Sequence, residues 1–183
     1  MHENKNNRWW KWNYSYDGFY FITICTKDRY PYFGKIETEN IILNDVGNIV
    51  NDEILKMEEK HNEIKIHEYC IMPNHLHLLI QINKNNVFND INIVNNAVGA
   101  RCIWHLRQND DVKNKRNNEL LSLFVGLTKA AISRNINTIK PFYFKWQRSF
   151  HDHIIRNENE YLKIKYYIKN NPKMWGRDRN NIY

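Results

Sequence analysis

The 183-residue chain has little glycine, proline or cysteine: six, four and three residues of each. It contains no run of about 18 apolar residues, so we expect no membrane span and no membrane partner. The first residues, MHENKNNRWWKW, lack the apolar segment of a signal peptide. No segment of about 20 to 50 residues recurs along the chain, which excludes solenoids and propellers.

The cysteines, Cys25, Cys70 and Cys102, are odd in number and widely spaced. This spacing excludes both a disulfide framework and a C-x-x-C metal knuckle. We therefore expect the protein to work in a reducing cytoplasm.

The composition is that of a folded, basic protein. Hydrophobic residues make up 42% and aromatic residues 14%, which excludes a disordered chain. At the usual domain size the length corresponds to about one domain. The net charge of +7 favours an anionic partner, although a solvated basic surface without a partner has the same composition.

Hydrophobic patterning predicts elements in the order β-α-β-β-α-β-α. Strands are predicted at 19–26, 64–71, 75–82 and 142–156, and helices at 45–60, 119–135 and from 158 to about 172. The helix at 119–135 should bury a stripe of four residues, Leu120, Phe124, Leu127 and Ala131. Residues 83–118 are Asn-rich and weakly periodic, and we interpret them as a mobile insertion in a single domain, 1–183. The order matches an α+β fold of the ferredoxin-like split βαβ type, with helices packed on an antiparallel sheet.

His75 and His77 form the sharpest local feature. Alternate residues of a strand point to the same face, so both imidazoles should project together while Leu76 and Leu78 point the other way. Such a pair is suited to a divalent metal. Two hydrogen-bonded structural histidines would have the same spacing.

The predicted last helix carries a second candidate group. Tyr167 and Asn171 are four residues apart and should lie about 40° from each other, whereas Tyr166 lies on another face. A tyrosine beside a metal-held phosphate can act as a nucleophile, and an amide oxygen can bind the ion. Ordinary packing explains a helical tyrosine equally well, and Pro172 disfavours helical geometry at Asn171.

Two motifs together resemble the REP-associated tyrosine transposase family, relatives of the single-tyrosine HUH transposases of insertion sequences. They are M-P-N-H-x-H, at 72–77, and Y-I-x-x-N-P, at 167–172. Residues 18–26 resemble the family's first strand, and residues 146–150 with His153 resemble the segment before its tyrosine helix. The resemblance covers about 15–82 and 119–176, and the insertion at 83–118 is longer than in compact relatives.

The resemblance implies an HUH transposase-like fold in which His75 and His77 bind a metal, Tyr167 is the nucleophile and Asn171 is a third ligand. It implies Mg²⁺ or Mn²⁺, although imidazole ligands alone favour softer ions. The implied substrate is single-stranded DNA beside a hairpin, cleaved through a 5′-phosphotyrosine and rejoined without ATP. A monomer and a homodimer are both compatible with the sequence.

Several basic and aromatic residues are candidates for contacting DNA. They are Arg8, Trp9, Trp10, Lys11 and Trp12 near the N-terminus, and Lys129, Arg134 and Arg148 further along the chain. Aromatic packing in the core and simple solvation are the other interpretations of these residues.

Two rival functions remain open at this stage. One is a nucleic-acid-binding protein of the same fold that does not cut. The other is a zinc hydrolase that uses His75 and His77 with His151 or His153, which also alternate on a predicted strand.

Overall fold

A computed structural model of the protein describes residues 17–83 and 119–181. The strands are β1 Gly18–Cys25, β2 Gly34–Glu37, β3 Asn40–Leu43, β4 Ile64–Met72, β5 His75–Ile82 and β6 His151–Ile155. The α-helices are α1 Asp45–Lys60, α2 Glu119–Ile139 and α3 Glu158–Asn170. Two 3-10 helices follow β1 and α3, at Lys27–Arg29 and Asn171–Arg177. The predicted insertion lies outside the described residues from residue 84 onwards.

Four strands form one antiparallel sheet in the order β4-β5-β1-β6. β5 therefore lies between β1 and β4, which are joined through α1, and this is the split βαβ arrangement predicted from the sequence. The α+β, ferredoxin-like fold is confirmed. In this register His75 lies opposite Cys25, and His77 lies opposite Thr23.

The two faces of the sheet carry different helices. One face packs under α1 and α2, and its buried residues include Ile22, Leu78, Ile54 and Phe124. The other face packs under α3 and the 3-10 helix that follows it, around Ile168. Because β5 alternates, His75 and His77 project to the face beneath α3 while their even-numbered neighbours fill the larger core.

The buried stripe of α2 differs from the prediction. It includes Leu121, Phe124, Val125 and Ile132, whereas Leu127 is 41% exposed. Leu127 lies about a third of a turn from the centre of this stripe, so it points to solvent. The helix also continues beyond the predicted end, to Ile139.

The predicted strand at 142–156 is wrong over its first part. Only His151–Ile155 is a strand, and the preceding segment makes a single bridge from Trp146 to Thr26. Phe142 has a φ of 59°, which is incompatible with extended backbone. The aromatic residues that favoured a strand instead pack as side chains: Phe144 is buried and contacts Phe33 and Trp146.

The β2–β3 hairpin was not predicted. Its two turn residues, Thr38 and Glu39, have φ angles of 47° and 64°. A turn with two left-handed residues normally carries asparagine, aspartate or glycine, so Thr-Glu gives no hairpin signal.

No described helix is long and apolar enough to cross a bilayer.

Candidate active site

Two buried imidazoles form the centre of the site. His75 and His77 are 0% and 2% exposed, and their Nε2 atoms are 3.0 Å apart. β5 begins at His75, directly after the turn from β4. Because residues two apart on a strand point to the same face, both imidazoles project together, as the spacing predicts. The second face of the sheet therefore presents two nitrogen atoms to one small volume.

Asn74 determines which nitrogen of His75 is free. Its Nδ2 donates to the carbonyl oxygens of Arg29 and Asn180, at 2.9 and 2.8 Å. Its Oδ1 must then be the atom facing His75 Nδ1, at 2.8 Å, and it can only accept. His75 therefore carries its proton on Nδ1 and directs the lone pair of Nε2 into the site.

His77 is held from the neighbouring strand β1. Thr23 Oγ1 lies 2.9 Å from His77 Nδ1, and the ring of Phe21 lies 5.1 Å from the His77 ring. The hydroxyl can donate or accept, so the imidazole keeps a partner in either tautomer. This contact leaves Nε2 as the atom that faces His75.

Asp178 enters the site from the segment after α3, and sequence patterns did not single it out. Its buried Oδ2 lies 3.8 Å from His75 Nε2 and accepts a hydrogen bond from Asn171 Nδ2 at 3.2 Å. No motif or periodicity marks this position. Its approach depends on the path of the 3-10 helix Asn171–Arg177, whose Trp175 stacks on the His75 ring at 6.1 Å.

Asn171 is helical, contrary to the expected effect of the following proline. Its φ and ψ are −57° and −40°, and it is fully buried. Pro172 lies in the first turn of the next 3-10 helix, where the missing N–H costs no hydrogen bond. The Oδ1 atom of Asn171 has no hydrogen-bond partner among the described residues.

Tyr167 reaches the site from α3. Its phenol oxygen lies 3.4 Å from His77 Nε2, and the two rings are 5.4 Å apart. Tyr166 is 71% exposed and lies on another face of the helix, as predicted. Burial and the Asp178 carboxylate raise the pKa of the Tyr167 phenol, and a hydrogen bond with Asn171 offsets part of that increase.

The donor set fits a divalent cation. Ligand atoms of His75, His77 and Asp178 all lie within 4.8 Å of one another. Burial, with smaller contributions from Arg29 and Arg179, lowers the pKa of His75 to about 3, so it is neutral at pH 7, as a metal ligand must be. A buried carboxylate and two imidazoles make a cluster rich in acceptors, and Asn171, whose Oδ1 has no partner among the described residues, contacts that carboxylate through its Nδ2. This group could hold a metal ion.

The rival histidine pair does not assemble in the same way. His153 Nε2 lies 2.6 Å from Glu160 Oε1 at an exposed position. Within residues 17–83 and 119–181, neither His151 nor His153 belongs to a group that could hold a metal.

The candidate DNA-contacting residues are only partly described. Arg8, Trp9, Trp10, Lys11 and Trp12 lie outside the described residues. Lys129 is turned inward, because its Nζ donates to the carbonyl of Gln147 at 2.6 Å. Arg134 and Arg148 are exposed.

The fold and site define an α+β protein that brings paired histidines and a helical tyrosine to one sheet face. The chain matches the family described as "Transposase IS200 like" over residues 14–121. It is also 32% identical, over 98% of its length and 93% of the relative's, to an uncharacterized protein of Haemophilus influenzae Rd. The chain belongs to the IS200-like transposase family, which confirms the family resemblance found in the sequence.

Two solved structures are similar to this chain. A REP-associated tyrosine transposase, solved bound to a REP hairpin, shares the fold with a TM-score of 0.52 at 16% identity, over 91% of this chain and 73% of that chain. A candidate transposase of Deinococcus radiodurans R1 has a TM-score of 0.46 at 16% identity, over 87% of this chain and 94% of that chain.

Proposed function

We propose that the protein is a metal-dependent single-stranded DNA endonuclease and strand transferase that forms a covalent bond to DNA through Tyr167. The observation that carries this proposal is the distance of 3.4 Å between the phenol oxygen and His77 Nε2. A nucleophile is thereby held at the same buried nitrogen pair that could bind a metal. Membership of a transposase family supports DNA as the substrate.

His75, His77 and Asp178 are the residues that would hold the metal, with Asn171 Oδ1 as a further oxygen donor. Mg²⁺ or Mn²⁺ bound there would act as a Lewis acid toward the scissile phosphate. The protein's own contribution is orientation: Asn74 and Thr23 fix the two imidazoles, and a fixed site avoids reorganisation during the reaction.

Tyr167 supplies the nucleophile. Its side chain is 41% exposed, so a DNA strand can approach from solvent while the ring is supported by Phe21 and His77. The phenol oxygen forms a bond to phosphorus as it loses its proton. The bond between phosphorus and the 3′ oxygen breaks, and that oxygen takes up a proton. The resulting phosphotyrosine is a phosphodiester like the bond it replaces, so a 3′-hydroxyl can reverse the step without ATP.

The test is a denaturing gel of the protein mixed with Mg²⁺ or Mn²⁺ and hairpin-bearing single strands from the flanks of its gene. A slow-migrating covalent adduct is expected for the wild type and for Tyr166→Phe, the matched control. Tyr167→Phe should give none. Its melting temperature should fall by no more than about 3 °C, because the hydroxyl of this partly exposed residue loses only a long contact with His77 Nε2 and its interaction with Asn171. An adduct that persists in Tyr167→Phe would refute the assignment of the nucleophile.

A further inference from the structure

A second surface lies at the end of β1, close to His75. It consists of residues 27–30, which follow β1, and residues 142–148, which precede β6; we call it the basic–aromatic surface. A backbone hydrogen bond of 2.9 Å from Lys27 N to the Lys145 carbonyl joins its halves, and a second of 2.9 Å, from Gln147 N to the Cys25 carbonyl, ties it to the end of β1. Because Cys25 lies opposite His75 in the sheet, this surface adjoins the candidate active site.

The surface contains an open, positively charged cavity of about 410 Å³. The residues that line it are Lys27, Asp28, Arg29, Trp146, Gln147 and Arg148. Lys27 and Arg148 are exposed, so their charges are available to a ligand. Arg29 is instead turned toward the protein, where its guanidinium donates to Asn180 Oδ1. One aromatic wall and two available cations therefore line the cavity.

Three exposed aromatic rings also lie on the basic–aromatic surface. Phe142 is 92% exposed, and Tyr30 and Tyr143 are 48% and 42% exposed. Tyr32 connects the last two, because its ring lies 4.6 Å from that of Tyr30 and 5.1 Å from that of Tyr143. Phe142 adjoins Tyr143 in the chain, so the exposed rings form a patch rather than scattered single residues, and such patches mark interaction sites.

The surface is fixed relative to the active site by the residue that orients His75. Asn74 donates to the Arg29 carbonyl, and its own carbonyl accepts from the Thr26 backbone and hydroxyl at 2.9 Å. The single hydrogen of the Thr26 hydroxyl is shared with the Tyr30 carbonyl, which lies 2.8 Å away. A ligand bound to this surface is therefore held at a fixed position relative to His75 and His77.

We propose that the basic–aromatic surface binds the single strand next to the phosphate that Tyr167 attacks. Lys27 and Arg148 contact backbone phosphates, and bases stack on Phe142 and Tyr143. Cations interleaved with exposed rings are the combination that single-stranded nucleic acid requires, since phosphates alternate with flat bases along the strand. This inference rests on the proposed function, because it places the strand beside that reaction.

The test is equilibrium binding of a fluorescently labelled oligothymidylate to the full chain in EDTA, followed by anisotropy, so no cleavage is involved. Arg148→Glu should weaken binding and flatten the slope of log K against log salt by about 0.7 for each phosphate that is no longer neutralised. Lys60→Glu is the matched control: it makes the same charge change at the carboxyl end of α1, at the other end of the sheet. Phe142→Ala should weaken binding about five-fold or more, while the control Leu55→Ala, on α1, should not.

Equal weakening by Arg148→Glu and Lys60→Glu would overturn the inference, because net charge alone would then explain binding. Unchanged binding by Phe142→Ala, or equal affinity for duplex and single strand, would also overturn it. The adduct assay separates this inference from the proposed function. Surface-dependent binding without any wild-type adduct would refute the function and leave the surface as a single-strand-binding site only. Adduct formation with surface-independent binding would refute the surface alone.

Discussion

Asn74 offers a sharp test of how the candidate active site is built. The residue is fully buried, and its side chain makes three hydrogen bonds of 2.8 to 2.9 Å, to Arg29, Asn180 and His75. Asn74→Ala removes all three at once. It leaves two carbonyl oxygens and the Nδ1–H group of His75 without their partner.

The size of the stability loss in Asn74→Ala follows from the burial of those groups. Each buried polar group left unsatisfied costs about 1 to 3 kcal/mol, and the hydrogen bond to Arg29 is partly open to solvent. We therefore expect Asn74→Ala to lower the free energy of unfolding by about 3 kcal/mol or more. For a chain of this size the melting temperature should fall by about 6 to 12 °C. Metal affinity should fall about 10- to 100-fold, because His75 loses the group that fixes its ring and tautomer.

Asn74→Asp separates the two effects. A carboxylate can still accept from His75 Nδ1, so the Nε2 lone pair stays directed into the site. The same carboxylate cannot donate to the carbonyls of Arg29 and Asn180, and it places charge against two oxygen atoms. We expect this variant to lose stability as Asn74→Ala does, but to keep Mn²⁺ affinity close to that of the wild type.

The assay pairs thermal unfolding with Mn²⁺ titration, in which electron paramagnetic resonance measures the free ion. If Asn74→Ala is destabilised but binds Mn²⁺ like the wild type, Asn74 does not position His75 for a metal. If both variants lose Mn²⁺ affinity equally, the packing of the turn, rather than the hydrogen bond from His75 to residue 74, determines that affinity.

Three further outcomes are expected. Mn²⁺ at about 100 times its dissociation constant should stabilise the wild type by about 2.7 kcal/mol, or about 5 to 10 °C in melting temperature. His77→Ala should show no such shift, and an equal shift would place the ion elsewhere. Ile168→Ala, at a fully buried position of α3, should cost about 2 to 5 kcal/mol in urea unfolding, whereas exposed Leu162→Ala should cost under about 0.5; similar costs would contradict the described packing. Burial lowers the pKa of His67 in the folded state. The stability that His67 contributes is therefore complete above its unfolded pKa of about 6.5, and it decreases as the pH falls from there toward the folded-state pKa. Unfolding free energy should therefore fall more steeply below that pH in the wild type than in His67→Gln, by at most about 1.4 kcal/mol per pH unit, and parallel curves would exclude this role.

The sequence predicted the parts of the site that depend on periodicity within one element. Alternation along β5 placed His75 and His77 on one face, and the helical advance of 100° separated Tyr166 from Tyr167. Asn157 accepts from Glu160 N as the cap of α3, as its position before an acidic first turn indicates. These features are local, so neighbouring residues are enough to specify them.

The parts that depend on how segments meet could not be predicted in this way. Asp178 reaches His75 only because the chain after α3 turns back through a 3-10 helix over the imidazole. The aromatic segment 142–150 favours strand by composition, yet Phe144, Trp146 and Phe150 pack into the core while the backbone departs from the sheet. In both cases tertiary packing outweighs local preference.

The position of Tyr167 depends on how α3 docks, and interactions along the whole helix determine this. Tyr161 hydrogen-bonds to His67 Nδ1 at 2.9 Å near the start of the helix, Ile168 is buried against the sheet, and Asn171 meets Asp178 at its end. Because these interactions lie on both sides of Tyr167, rotation of α3 about its axis would break all of them. The phenol is therefore held near His77 by the packing of the whole helix, and its own hydrogen bond of 3.4 Å contributes little. A long, weak interaction of this kind leaves the phenol oxygen free to leave His77 for a phosphorus atom, as the proposed reaction requires.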